Sequence, residues 1–385
     1  MKTDQIQKVH KDWYKLDLSA IVYPTLQRRD FSSVYRLSVL LKEDIDPEIL
    51  QRAVNLTMPR FPTYKAAIRK GVFWRYLEPN DRPGSFVQED VKNPCQPMHF
   101  KGNNRYLVRI YYYRNRIALE AHHSLGDGTG GMCVLQTLTA TYLRLKGHSE
   151  IENGGFVLDI LGIPDPGELE DAYMKYANAK VCPPRPGEKT YRVRGTKEPF
   201  YTLNIIDGIM SVSEVMRVAK SYNATITEYL NSVLLYALMQ KQESEWHLKL
   251  RPVKIAMPVN LRRFFPSRTL RNFITMIYPG IDPRLGEYTF EEIVTQVHNY
   301  MRYYLNEKLL RGDITTNAET QRNPFIRIVP LFIKDLVVRQ FYTKIQDKNS
   351  SAGLTNMGAL KVPETMKPYI EPVSYTHLTL PTIRL

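Results

Sequence analysis

The stretch Glu120-Ala121-His122-His123-Ser124-Leu125-Gly126-Asp127-Gly128-Thr129-Gly130-Gly131 gathers two imidazoles, two carboxylates and four glycines. Four kinds of chemistry fit it. Gly126-x-Gly128-x-x-Gly131 matches a dinucleotide fingerprint, and Glu150 lies about twenty residues on, where a ribose-binding acid belongs. His122, His123 and Asp127 are metal-ligating residue types, but adjacent residues of an extended chain point to opposite faces, unlike the i, i+4 pair of a zinc protease. A third reading is structural: a buried histidine pair at a turn, with glycines supplying positive φ. The fourth is general-base catalysis, in which one imidazole faces a cavity while the other anchors the loop. A hydrogen bond then fixes the active ring's tautomer. Asp127 braces the loop through a cation elsewhere in the fold, and the glycines let a substrate approach N–H groups at a helix start.

Around this stretch the pattern predicts strands over 33–42, 72–77 and 106–113, the last joined by Arg114-Asn115 to a strand over 116–121 as an antiparallel hairpin. Helical spacing runs over 46–58, where Asp46-Pro47 reads as a cap followed by proline in the first turn, and over 132–145. Residues 147–198 are rich in Gly, Pro and charge, and the pattern then restarts. Strands are predicted over 200–206, 254–259, 273–281 and 351–356, and helices over 212–221, 227–241, 289–310 and 327–344. Strands and helices intermingle in both halves without a repeat period, so the class is α/β or α+β in two lobes.

Composition excludes several alternatives. At 385 residues, 43% hydrophobic and 24% charged, the chain is too long for one core and too ordinary for a disordered or disulfide-stapled protein. No apolar run approaches the roughly 18 residues of a membrane span. The first residues, MKTDQIQKVHKDWYK, contain no secretion signal. Cys95, Cys133 and Cys182 are widely spaced and odd in number, which fits a reducing cytoplasm and no metal clip. The net charge of +14 favours an anionic partner, but the basic residues are dispersed, which argues against nucleic acid. Finally, Val373-Ser-Tyr-Thr-His-Leu-Thr-Leu-Pro-Thr382 resembles the translation of a transposon-based sequencing adapter. Residues 373–385 are therefore expected to be a non-native tail, with the natural protein continuing past residue 371 in a different sequence.

His122-His123-x-x-x-Asp127-Gly128 resembles the signature of the superfamily of chloramphenicol acetyltransferases, BAHD acyltransferases, alcohol acetyltransferase-like proteins and condensation domains of peptide synthetases. The bacterial alcohol acetyltransferase-like or condensation-like branch is the nearest in kind. The stretches 60–65, 71–77 and 218–230, together with Pro258-Val-Asn-Leu-Arg-Arg263, Leu270-Arg-Asn-Phe273 and Leu354-Thr-Asn-Met-Gly358, are similar to other family segments, so the likeness spans about residues 10 to 371. A DFGWG element of BAHD type is not found.

The resemblance implies an α/β sandwich fold of two chloramphenicol-acetyltransferase-like lobes in a V-shaped pseudo-dimer. The lobes would be residues 1–165 and an incomplete 199–372, joined by a linker over 166–198, with a tunnel between them. It implies His123 as general base, with His122, Asp127 and Gly128 as scaffold and Asp127 salt-bridged to Arg60 or Arg262. Thr355, Asn356, Asn260 and Arg262 would line the tunnel. No metal or permanently bound cofactor is implied. The co-substrate would be an acyl-CoA or a phosphopantetheine thioester on a carrier protein, and the acceptor a small alcohol or amine. The expected enzyme is a cytoplasmic monomer. The alternatives are a condensation-type enzyme, a catalytically silent binding relative and, from the glycine fingerprint, an NAD-dependent oxidoreductase.

Overall fold

The computed structural model describes residues 13–27, 31–84, 86–180, 188–196, 198–199, 202–245, 249–344, 349–358, 362–371 and 376–379. Twelve strands are described: β1 (Tyr14–Lys15), β2 (Val34–Leu40), β3 (Ala66–Lys70), β4 (Arg75–Pro79), β5 (Val87–Glu89), β6 (Val108–Tyr113), β7 (Arg116–His122), β8 (Val253–Asn260), β9 (Ile274–Ile277), β10 (Gly280–Ile281), β11 (Ala352–Gly353) and β12 (Thr376–Thr379). The α-helices are α1 (Tyr23–Leu26), α2 (Pro47–Thr57), α3 (Gly128–Leu145), α4 (Ala172–Tyr176), α5 (Val212–Ser221), α6 (Ile226–Ser244), α7 (Phe290–Tyr304), α8 (Glu307–Arg322), α9 (Pro324–Arg327) and α10 (Leu331–Lys344). The architecture is mixed α/β.

In the first half, a five-stranded sheet has the order β12-β2-β7-β6-β5. Strand alternation sorts its residues by face. Tyr35, Leu37 and Val39 stand opposite Ala121, Leu119 and Ile117, and this apolar face meets α3, since Gly131 lies against Tyr35 and Leu37. Every residue of α3 from Gly130 to Leu143 is buried, which makes α3 the central helix of this half. The other face carries Arg36, Glu120 and His122, and residues 95–100 cover it. A second sheet, β1-β4-β3, lies alongside.

In the second half β8 is central, flanked by β9 and β10 on antiparallel pairing and by β11 in parallel. Its alternate residues Val253, Ile255, Met257 and Val259 pack with Leu235, Leu238 and Met239 of α6 and with Ile293 and Val297 of α7. A third apolar cluster joins Ala172 and Tyr173 of α4 to Phe265, Phe273, Leu310 and Ile314. Part of the stretch predicted as a linker is thus built into a core. Among the described residues, no helix is long and apolar enough to cross a membrane.

Several boundaries differ from the sequence reading. The strand expected over 200–206 is absent from its described residues 202–206, where the backbone is irregular and Ile206 is 97% exposed. The single helix expected over 289–310 is two, because the Asn306 side chain accepts from Leu309 N–H at 3.0 Å and caps a new start. β3 went unread because Ala-Ala-Ile-Arg-Lys does not alternate apolar and polar residues. Thr376–Thr379, within the segment resembling adapter sequence, pairs antiparallel with β2.

The helix α10 crosses from the second half onto the first. Arg75 grips Asp335 with both guanidinium nitrogens, one at 2.7 Å, and Thr25 donates to the same carboxylate at 3.0 Å. The Arg75 side chain is only 5% exposed, so this ion pair is poorly screened. Replacing Arg75 with Met is expected to lower unfolding free energy by about 2 kcal/mol, the worth of hydrogen bonds to a charged group. Chemical denaturation checks this.

Candidate active site

β7 ends at His122 and the turn after it presents His123, so the two histidines enter different surroundings. His122 is fully buried, and its Nδ1 accepts from the Ser124 N–H at 3.2 Å, which leaves the ring proton on Nε2. Phe100 meets the ring edge-on at 5.5 Å. Burial, with the neighbouring His123 as a lesser cause, pushes the His122 pKa down to about 3, so it is a neutral anchor. Among the described residues, its Nε2 has no hydrogen-bond partner.

His123 is half-buried, and its ring lies against two tyrosines: stacked on Tyr23 of α1 at 4.8 Å and tilted on Tyr35 of β2 at 4.6 Å. Its main chain is held at both ends. The N–H donates to Ser33 O at 2.9 Å, and the carbonyl accepts from Asn272 Nδ2, also at 2.9 Å. Ser33 sits at φ 55°, a conformation that a non-glycine residue rarely adopts and one kept by its surroundings. Asn272 Nδ2 also donates to Asp17 Oδ2 at 3.1 Å, and Asp17 Oδ1 accepts from Ala20 N–H at 2.8 Å. Asp17 is fully buried, and its carboxyl pKa is raised by desolvation against the pull of Arg271.

Asp127 caps α3 and ties it to the second half. Its Oδ1 accepts from Thr129 N–H at 3.1 Å and Gly130 N–H at 3.3 Å, satisfying donors that a helix start leaves unpaired. Its Oδ2 accepts from Arg262 Nη1 at 2.8 Å and Phe273 N–H at 2.9 Å, while Arg262 Nη2 reaches Oδ1 at 3.3 Å. Arg262 is aimed by further donation to Thr269 O at 2.9 Å, to Arg271 O, and to Asn260 Oδ1 at 3.2 Å. Asn260 Nδ2 in turn donates to Thr129 Oγ1 at 3.2 Å. Of the two arginines read from the sequence as partners of Asp127, Arg262 takes that place. Arg60 instead makes a two-pronged pair with Glu168 at 2.6 and 2.7 Å.

Gly126, Gly130 and Gly131 make room for neighbouring backbone and side chains rather than supplying positive φ. Among the described residues, the positive-φ glycines do not include Gly126, Gly128, Gly130 or Gly131. A Cβ on Gly126 would stand 2.5 Å from Leu270 O and 2.5 Å from the Tyr64 hydroxyl; on Gly130 it would stand 1.9 Å from Leu270 O. On Gly131 it would meet the Tyr35 hydroxyl at 2.5 Å. These positions are bare so that the Leu270 backbone and the hydrogen-bonded Tyr35–Tyr64 pair, 3.1 Å apart, can close on the helix start. The same packing fills the place a pyrophosphate would need, and β7 lies antiparallel to both neighbours, so the dinucleotide fingerprint is a coincidence of spacing. The metal reading fails on geometry as well, because Asp127 has both oxygens occupied by donors and the two imidazoles have separate surroundings.

The structure therefore brings together His122, His123, Asp127, Gly128, Asn260 and Arg262. Thr355 and Asn356 stand apart from that network: both are exposed beyond β11, with Asn356 Nδ2 donating to Thr227 Oγ1 at 2.7 Å. Neither a 220 Å³ cavity beside Tyr142 and Tyr369 nor a 560 Å³ hollow along α7 is lined by His123. Tyr23 and Tyr35 against the His123 ring, and Asn272 with Asp17 behind its carbonyl, are neighbours that sequence reasoning missed. Only Asn272 carried a signal, within Leu270-Arg-Asn-Phe273.

Solved structures share this fold along nearly the whole chain. A variant starter condensation domain of rhizomide synthetase in complex with C8-CoA is 12% identical, with TM-score 0.58 over 99% of this chain and 87% of that one. Fusarium sporotrichioides TRI101 complexed with coenzyme A and T-2 is also 12% identical, with TM-score 0.57 over 95% and 89%. Polyketide synthase associated protein 5 from Mycobacterium tuberculosis is 13% identical, with TM-score 0.52 over 94% and 84%. No family model matches the chain, and no curated protein matches it. The fold is the two-lobed one that these structures share, a starter condensation domain among them.

Two outcomes follow for the site. Asp127→Asn keeps the helix cap but unbalances Arg262, and is expected to cost about 3 kcal/mol, as for a broken buried ion pair; thermal melting measures it. His122 binds a proton in the unfolded chain below pH 6.5 but in the folded chain only near pH 3. Its contribution therefore makes stability fall as pH drops through that window. The raised Asp17 and Glu120 carboxyls act in the opposite sense. His122→Gln should shallow the acid limb relative to the parent chain, as read by denaturation between pH 4 and 7 (about the window of these groups).

Proposed function

We propose that the chain is an acyltransferase that moves an acyl group from a thioester to a small alcohol or amine, with His123 as general base. The observation that carries this reading is the half-buried His123 whose main chain is clamped between Ser33 of the first half and Asn272 of the second. The fold adds support, since two of the chains that share it were solved with coenzyme A or C8-CoA.

In this mechanism the neutral His123 imidazole accepts the acceptor's proton as its oxygen or nitrogen attacks the thioester carbonyl. The tetrahedral intermediate collapses with loss of the thiolate, and imidazolium returns the proton to sulfur. A thiol with pKa near about 8.5 leaves readily. The tyrosines against His123 hold the ring's plane, which limits the directions from which the acceptor can approach. No acyl-enzyme forms. Ser124 is fully buried and donates to Ala20 O at 3.2 Å, and burial pushes the Cys133 thiol up to about 12, so neither neighbour is a ready nucleophile. Asn260 and Arg262 brace the helix start. The proposal takes the enzyme as a monomer of the cytoplasm, without a metal or a resident cofactor.

A second reading, condensation with a carrier-bound thioester, is favoured by the 99% coverage by a starter condensation domain. Acyl-CoA and an acylated carrier protein offered separately to the same acceptors distinguish the two readings, by release of free thiol. His123→Ala is expected to lower turnover by about 10²–10⁴-fold with an unchanged melting temperature. Undiminished turnover in that variant excludes the general-base role, and no thiol release from either donor leaves a binding protein.

A further inference from the structure

The helix α10 is packed inside out. Leu331, Lys334, Asp335 and Val338 face the protein, one helical stripe in spacing, while Phe332, Ile333, Leu336 and Val337 face outward. The inward stripe carries the polar groups: Asp335 is gripped by Arg75, and Lys334 Nζ donates to Phe73 O at 2.9 Å and Arg327 O at 3.1 Å. The outward stripe is apolar, with Phe332 73%, Leu336 59% and Val337 61% exposed. An ordinary surface helix has the reverse arrangement.

This face is continuous with two others. Leu331 N–H donates to Val72 O at 2.9 Å, which sets α10 against the turn Gly71–Trp74, where Val72 and Trp74 are exposed. α9 joins through the Lys334 contact and adds Phe325, 77% exposed. Three segments thus present large aliphatic and aromatic side chains side by side, beyond the scattered exposure of a soluble surface.

Charge identifies the occupant. Residues 66–78 and 323–340 together hold six cations (Arg69, Lys70, Arg75, Arg327, Lys334, Arg339) and two anions, Glu78 paired with Arg69 and Asp335 paired with Arg75. Lys70, Arg327 and Arg339 are exposed among the apolar side chains. A second copy docked about a two-fold axis would face this cationic surface with its own, and like charges brought together oppose such an interface. Outward Phe, Trp and Leu ringed by Lys and Arg suit the interface of an anionic lipid bilayer.

We infer that the surface formed by α10, α9 and the turn Gly71–Trp74 seats this protein on anionic membranes. The inference stands apart from the acyltransferase reading, since adsorption to lipid needs no turnover. On the seated molecule α1 lies on the protein side of α10, where Thr25 contacts Asp335.

Co-sedimentation tests this with the full chain and vesicles of phosphatidylcholine, with or without phosphatidylglycerol. The parent chain is expected to sediment with the mixed vesicles and to stay in solution with phosphatidylcholine alone, losing affinity as salt rises. Arg327→Gln should weaken binding by about fivefold, the worth of one basic residue near a charged bilayer. The double variant Phe332→Glu, Leu336→Glu should abolish it, and because both side chains already face outward its melting temperature should not fall. Ile206→Glu, at an exposed apolar position elsewhere, should bind like the parent. Absence of binding to mixed vesicles, equal binding to both vesicle types, or equal loss in Ile206→Glu overturns the inference. So does light scattering that shows a dimer dispersed by the double variant, which would make a second copy the occupant.

Discussion

Five N–H donors converge on the Asp127 carboxylate, two from the first turn of its own helix and three from Arg262 and Phe273 in the other half of the chain. A carboxylate so filled is satisfied only while both halves are in place. The start of α3 therefore has no settled position independent of the second half, and the loop that presents His123 takes its geometry from the contact between halves. Arg60 and Glu168 repeat this logic one layer out, and Leu270 N–H donates to Glu168 O at 2.8 Å to close the circuit.

The two histidines show how a strand end and the turn after it divide labour. Both are the same residue type, one after the other, yet the first is sealed and held neutral while the second is half-buried between tyrosine rings. The chain leaves β7 at His122, and the turn closed by Leu125 N–H on His122 O at 3.0 Å carries His123 into its separate surroundings. Holding the second imidazole in place is costly: Ser33 must adopt a left-handed backbone, and a buried carboxylate, Asp17, must be matched by Asn272 and Arg271.

Much of this was legible in the sequence, and the reasons are local. The hairpin at Arg114-Asn115 and the Asp46-Pro47 cap depend on neighbouring residues alone and lie where the pattern predicted, whereas the helix expected over 132–145 starts four residues earlier, at Gly128, on its Asp127 cap. The partner of Asp127 is not local: the family resemblance left Arg60 and Arg262 open, and the structure selects Arg262. What escaped notice depends on residues far apart in the chain. Tyr23 and Tyr35 touch His123 across about a hundred positions with no motif to mark them, and the glycines were misread because the backbone that presses on them comes from Leu270. The strand expected over 200–206 had the right alternation, but its described residues have no neighbouring strand, and alternation without pairing does not make a sheet.

The close approach of Leu270 to Gly126 and Gly130 has a mechanical consequence. A carbonyl lodged where two side chains have been dispensed with works like a pin in a socket, and the Asp127–Arg262 fork sits beside it. The halves of this molecule cannot swing apart as a clamshell at that point without withdrawing the pin and stranding a buried charge. The seam is fixed at that point, and any breathing of the molecule belongs to peripheral pieces of chain.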